Sequence, residues 1–213
     1  MEKVIIATDS SSDLLLEEIN ELGVKLIPMS ITYEDKTIID DKTFVAEKIY
    51  ELMIDGKVLK TSQPSIGTFI EAFEEAKKNT DYLIYICISS KLSGTYKTAL
   101  AAKKMVEYDN IFIIDSLHVS GGEKLLVLEA IKYKNEGLSV KEIISRIEEL
   151  IPKVKIFACM DTLEYVVLGG RLSKTAGAVG SALNLKPYFT VKDGEIHVVK
   201  KSRGLKHAIS DIG

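Results

Sequence analysis

Three clusters of hydroxyl-bearing residues carry most of the chemistry that this sequence offers: Thr8-Asp9-Ser10-Ser11-Ser12, Ser89-Ser90-Lys91-Leu92-Ser93-Gly94-Thr95, and Asp115-Ser116. Each follows a short β-branched run, respectively Lys3 to Ala7, Tyr82 to Ile88 and Ile111 to Asp115. In open α/β sheets, ligands bind beyond the carboxyl ends of the strands, so three such loops at one sheet edge form a candidate site. The plainer alternative is that these residues only cap the helices that follow. Ser93-Gly94-Thr95 opens a helical stretch, where free backbone amides beside two hydroxyls suit a small carboxylate or phosphate. Thr61-Ser62-Gln63-Pro64-Ser65 offers the same chemistry before a second helix, with Ser65 as its N-cap. Neither loop has the Walker lysine or the glycine-rich dinucleotide pattern. In Gly169-Gly170-Arg171, the glycines allow a sharp turn and the arginine presents a planar cationic fork for an anion, unless Gly169 simply ends a helix.

Other chemistries find less support. A serine-dependent hydrolase of a small acyl or ester substrate would pair Ser10 or Ser93 with His118, but no G-x-S-x-G elbow occurs. The three histidines, His118, His197 and His207, read as surface or capping residues. Asp9, Asp115 and Asp161 are isolated acids for which turn and cap roles suffice, so no metal site is expected. Cys87 and Cys159 lie in apolar runs and read as small buried hydrophobes. A formal net charge of −3 argues against nucleic-acid binding. Apolar stretches such as Val4 to Ala7 are far shorter than the roughly 20 residues that cross a bilayer, and Met1-Glu2-Lys3 has no signal-peptide character, so a cytoplasmic protein without membrane insertion is expected.

These loops must be positioned by alternating strands and helices. Strands are predicted at Lys3 to Ala7, Lys25 to Ser30, Tyr82 to Ile88 and Ile111 to Asp115. Helices are predicted at Asp13 to Leu22, Phe44 to Ile54, Ser65 to Lys78, Thr95 to Tyr108 and Gly122 to Asn135. Ile66, Phe69, Ile70, Phe73 and Ala76 form one apolar stripe at helical spacing. Ser139-Val-Lys-Glu142 is a capping box for a further helix ending near Pro152. Beyond it come a strand at Ile156 to Met160, a small-residue stretch from Gly169 to Ala182, and two β runs joined across Lys192-Asp193-Gly194 in a hairpin. The expected architecture is an α/β unit, residues 1–152, with a parallel sheet covered by helices on both faces. A smaller, apparently incomplete α+β part is expected over residues 153–213.

In order and spacing, these loops, together with Leu168-Gly169-Gly170-Arg171-Leu172-Ser173, resemble the DegV family of bacterial fatty-acid-binding proteins. The resemblance implies a long-chain fatty acid clasped between two domains, with part of the acyl pocket in residues 153–213. It assigns the carboxylate to Thr61 and Ser93, with Ser62, Gly94 and Thr95 in support, and implies no cofactor and no catalysis by the binding protein itself. It further implies a separate ATP-dependent fatty acid kinase as partner, making an acyl phosphate for phospholipid synthesis, with Arg171 supporting the transfer. Family members continue past the equivalent of Gly213 into further strands and a histidine loop. This chain is therefore expected to be either a shortened member or a fragment, and its final stretch, Ser202 to Gly213, is expected to be helical with an apolar stripe at Leu205, Ala208, Ile209 and Ile212.

Overall fold

A computed structural model describes residues 2–43, 46–159, 164–172 and 185–203. In chain order it contains β1 (Val4–Asp9), α1 (Leu16–Leu22), β2 (Lys25–Ile27), β3 (Ser30–Tyr33), β4 (Lys36–Ile39) and α2 (Ala46–Ile54). There follow β5 (Lys60–Ser62), α3 (Ile66–Asn79), β6 (Tyr82–Cys87), α4 (Thr95–Val106), β7 (Ile111–Asp115), α5 (Gly121–Asn135) and α6 (Val140–Leu150). The last described elements are β8 (Phe157–Cys159), α7 (Glu164–Leu168), β9 (Leu185–Lys192) and β10 (Glu195–Arg203).

The central sheet is parallel, in the order β2-β1-β6-β7. Its middle strands are apolar on both faces, as a parallel sheet covered on both sides requires. Alternate residues of β6 divide between two cores. Ile84 and Ile86 pack with α5 and α6 through Leu126, Val127, Ile143 and Ile147. Leu83, Tyr85 and Cys87 pack with α3 and α4 through Phe69, Phe73, Ala99 and Ala102. Helices on both faces of a parallel sheet are thus observed.

Local signals explain the helix ends. Ser65 Oγ accepts the Thr68 amide at 3.0 Å and starts α3. Ser139 and Glu142 form the reciprocal box of α6: the Ser139 amide donates to Glu142 Oε2 at 2.9 Å and the Glu142 amide donates back to Ser139 Oγ at 3.4 Å. On α3 the buried face is Phe69, Ala72, Phe73 and Ala76, whereas Ile66 is exposed, so the stripe is rotated from the expected one.

Three expected elements differ. The single strand Lys25 to Ser30 is two strands parted by Pro28, which has no amide to continue a ladder. Its second part, β3, joins β4 and β5 in a small antiparallel sheet of order β4-β3-β5. The helix expected from Asp13 begins only at Leu16, after a 3-10 turn at Ser10–Ser12 and a left-handed Asp13 with φ 56°. The helix expected at Ser202 to Gly213 begins as strand instead, because Ser202 and Arg203 pair with Lys186 and Leu185; residues 204–213, with their apolar stripe, lie outside the described residues, as do Asp161 and most of the small-residue stretch. The predicted hairpin is present: β9 and β10 turn through Asp193 and Gly194, both at positive φ, and β8 completes an antiparallel sheet of order β10-β9-β8. No helix among the described residues is long and apolar enough to cross a membrane.

Phe69 lies at the centre of an aromatic cluster, with ring centroids 5.6 Å from Phe73 and 5.5 Å from Tyr85. Truncating a fully buried phenylalanine removes its burial and leaves a cavity. Phe69→Ala is expected to cost about 3–5 kcal/mol in a urea melt; a loss below about 1 kcal/mol would contradict this packing.

Candidate functional site

The three hydroxyl loops do meet at the carboxyl edge of the parallel sheet, but most of their groups are turned inward. Ser10, Ser12, Ser89 and Ser116 are buried. Ser12 Oγ donates to the Asp9 carbonyl at 3.0 Å and Ser10 Oγ accepts the Met29 amide at 3.1 Å. Asp115 Oδ1 accepts the amides of Ser90 and Leu117 at 3.0 and 3.1 Å, so this carboxylate stitches the second loop to the third. Asp9 is fully buried and caps the 3-10 turn through the Ser11 amide at 3.0 Å. Its other oxygen accepts the Ile88 amide at 3.0 Å and the Tyr85 hydroxyl at 3.2 Å. Burial pushes the Asp9 carboxyl above its ordinary range, against the pull of these donors.

The outward-facing groups are fewer. Ser93 is half-buried at the start of α4, its Oγ 2.8 Å from Thr95 Oγ1 and accepting the Thr95 amide at 3.3 Å. Thr95 itself is fully buried. Thr61 and Ser62 are exposed on β5, where Thr61 pairs with Ile31 of β3 rather than lying at a helix start. Gln63 joins these two segments. Its Nε2 donates to Thr98 Oγ1 at 2.6 Å, and its side-chain amide lies so near Gly94 that a Cβ there would collide with Gln63 Oε1. Glycine at position 94 thus permits the close approach of the Thr61–Ser65 segment to the helix start that carries Ser93.

The C-terminal part reaches the same loop. Arg171 Nε donates to the Leu92 carbonyl at 3.3 Å and its Nη1 donates to the Gly169 carbonyl, which leaves an exposed guanidinium beside the Ser93 turn. Ser89 Oγ donates to the Gly194 carbonyl at 2.7 Å, docking the β9–β10 turn against the head of the loop. Arg171 therefore lies beside the loop that carries Ser93 and Gly94, with buried Thr95 next to Ser93, and Gln63 brings the segment after Thr61 and Ser62 alongside Gly94.

Two further residues matter at this edge. Gln63 carries no local mark of its role, because its partner lies 35 residues away. Glu123 is fully buried on the apolar face of α5 with Gly122, Leu126, Val127, Ala130 and Ile131. A carboxylate at that helical spacing was the available signal. Thr8 Oγ1 donates to its Oε1 at 2.9 Å, and Ser11 Oγ lies 2.8 Å from its Oε2 and 2.5 Å from Asp9 Oδ1. Asp9 is thus no isolated acid.

The hydrolase pairing is overturned by His118. It is a buried residue rather than a surface one, and its Nε2 meets the Ile151 carbonyl at 3.0 Å. Because a carbonyl only accepts, Nε2 carries the proton, and Nδ1 has no partner among the described residues. Among the described residues no serine hydroxyl is hydrogen-bonded to the ring. Cys87 is buried, as expected, but Cys159 is only partly so.

A parallel sheet flanked by helices, with inward-turned loops and a docked antiparallel hairpin, defines a two-part α/β protein class. The chain belongs to the DegV family, described as uncharacterised proteins, whose signature matches residues 3–212. A DegV domain-containing protein of Caldanaerobacter subterraneus subsp. tengcongensis is 41% identical over 209 residues, covering 98% of this chain and 75% of that one. Among solved structures, DegV of Bacillus subtilis, a fatty-acid-binding protein, is 31% identical with a TM-score of 0.86, over 100% of this chain and 76% of that one. A stearic-acid-binding protein of Eubacterium ventriosum is 27% identical with a TM-score of 0.91, over 100% and 74% of the respective chains.

The docked turn is sensitive at one atom. Gly194 has φ 83°, and an added Cβ would lie 2.6 Å from Ser89 Oγ, 2.9 Å from Lys91 Cγ and 3.1 Å from Leu117 Cδ2. Gly194→Ala combines left-handed strain with this collision and is expected to destabilise the protein by roughly 1–3 kcal/mol. Faster amide exchange in residues 89–94 than in the wild type would check the docking, and unchanged exchange would contradict it.

Proposed function

We propose that this protein binds one long-chain fatty acid, with its carboxylate on Thr61 and Ser93 and its chain running toward the C-terminal part. The observation that carries the reading is the approach of the segment after β5 to the start of α4 through Gln63 and Gly94, which supports a shared role for the hydroxyl residues Thr61 and Ser93 on either side. Ser62 and the amides at the α4 start are supporting donors, and Thr95 holds Ser93 from below. The ligands of the Bacillus subtilis and Eubacterium ventriosum relatives support the same class of substrate.

Binding follows from two unequal contributions. Each methylene withdrawn from water contributes about 0.8 kcal/mol, so the tail dominates affinity. Each charge-assisted hydrogen bond at the head adds roughly 1.5–3 kcal/mol and fixes its position. Apolar surface for a tail is present: α2 buries none of its residues, Tyr50 and Ile54 are exposed on it, and Phe157, Val167 and Leu168 are exposed in the C-terminal part. The Tyr165 hydroxyl contacts the Met53 carbonyl at 3.5 Å, bringing α7 beside α2.

The finer reading is that the bound carboxylate is presented to a separate ATP-dependent kinase. Neutral hydroxyls hold the head group without the tight ion pair that a lysine would make, and exposed Thr61 leaves it open to a phosphoryl donor. Arg171, beside the same loop, is placed to meet the charge of a transferring phosphoryl group.

Native mass spectrometry of the purified protein, before and after lipid extraction and after adding palmitate or oleate, tests the binding. An acyl adduct is expected; its absence in every condition would overturn the reading. Thr61→Ala with Ser93→Ala is expected to weaken retention of a labelled fatty acid at least about tenfold for each hydroxyl lost. Unchanged retention would remove those residues from the head-group site.

A further inference from the structure

We propose that Glu123 is held as a neutral carboxylic acid and that, with Ser11 and Asp9, it forms a one-proton latch that positions the Ser89–Thr95 loop. The argument is a count of hydrogens. Ser11 Oγ lies 2.5 Å from Asp9 Oδ1 and 2.8 Å from Glu123 Oε2, both on side chains with no solvent exposure. A hydroxyl has one proton to give. Were both carboxyls ionised, one of these contacts would set lone pairs against each other beside two uncompensated charges in a dry interior, which is strongly unfavourable. One further proton makes the chain complete: Glu123 Oε2–H donates to Ser11 Oγ, and Ser11 donates to Asp9.

The surrounding donors decide which acid holds the proton. Asp9 accepts four hydrogen bonds, from the Ser11 amide and hydroxyl, the Ile88 amide and the Tyr85 hydroxyl, a set that suits a carboxylate. Among the described residues Glu123 has only Thr8 on its other oxygen. Among the described residues neither acid forms an ion pair. The titratable groups around the pair are Asp13 beyond the 3-10 turn, Tyr85 and Cys87 on β6, with Asp115 on β7 beyond Cys87, and His118, packed under Gly122 with its Nε2 turned to Ile151. The nearby lysines are engaged elsewhere, Lys42 on the Ser10 carbonyl at 2.7 Å and Lys124 on Glu18 at 2.7 Å. Burial first, and the Asp9 charge second, hold Glu123 well above the ordinary carboxylate range.

The latch joins three segments. Asp9 holds the amide of Ile88, immediately before the loop that carries Ser93. Glu123 sits in the first turn of α5, and the Ser11 carbonyl accepts the Ser120 amide at 2.9 Å, tying the 3-10 turn to that helix start. Glu123 is therefore a positioning residue whose effect on binding rests on the fatty-acid reading, whereas its protonation does not.

The test compares wild type, Glu123→Gln and Glu123→Ala in two measurements. Glutamine keeps a donor toward Ser11 and an acceptor for Thr8, but has no proton to lose. In urea melts from about pH 5 to about pH 8, the wild type holds a proton that its unfolded chain has released, so its folding constant is expected to fall with rising pH, by up to about tenfold per unit, until the folded acid ionises. That slope is expected to be absent in Glu123→Gln. Glu123→Ala is expected to lower retention of labelled palmitate, and the glutamine variant to restore it. Parallel pH profiles for wild type and Glu123→Gln would overturn the proposal even if the alanine variant does not fold, as would a glutamine variant as damaged as the alanine one. If no form retains palmitate while the slope difference persists, the latch stands and the head-group assignment falls.

Discussion

Burial of the central strands on both faces is the constraint on which the rest of the structure depends. With helices packed on each side of β1 and β6, these strands expose polar side chains only at their ends. Parallel pairing carries all four strand ends of one polarity to the same edge. Every loop there must satisfy its backbone groups without further sheet pairing, and the Ser, Thr and Asp residues do this first. The candidate site is built from what remains.

That division separates two kinds of hydroxyl. Ser10, Ser12, Ser89 and Ser116 are buried scaffold, Ser12 and Ser116 turned onto backbone groups of their own loops and Ser10 and Ser89 onto those of other segments. Ser93 and Thr61 lie farther out, on a helix start and on an edge of the small antiparallel sheet. Anion binding at such a place needs donors held rigidly while remaining accessible, because ordering them at the moment of binding would cost affinity. Buried Asp9 and half-buried Asp115 gather amides from adjacent loops and hold them rigidly. Gly94, which has no Cβ, lets Gln63 approach the α4 start from the end of β5.

Legibility along the chain followed the length and polarity of each element. Long helices with caps, α3 and α6 above all, were readable because apolar spacing and a Ser at the N-cap agree. The Asp193-Gly194 hairpin was readable because its turn demands positive φ. The sheet of β3, β4 and β5 was not: its strands are three or four residues long and largely half-buried or exposed, so no alternation marks them. Thr61 was accordingly expected beside a helix start and lies in a strand. His118 looked like a surface residue because sequence shows its polarity but not the α5 start and Ile151 that enclose it.

What the sequence determined by itself was the α/β alternation, the position of the polar loops after the strands, and the ordered motifs that mark the DegV family. These depend on local propensity and on spacing within one segment. Only the tertiary structure decided which hydroxyls face inward, that Gln63 meets Gly94, that Arg171 and the β9–β10 turn rest on the Ser89–Ser93 loop, and that Asp9 shares a serine with Glu123. Those outcomes depend on residues far apart in the chain that become neighbours only after the helices close over the sheet, when burial fixes both their partners and their charge.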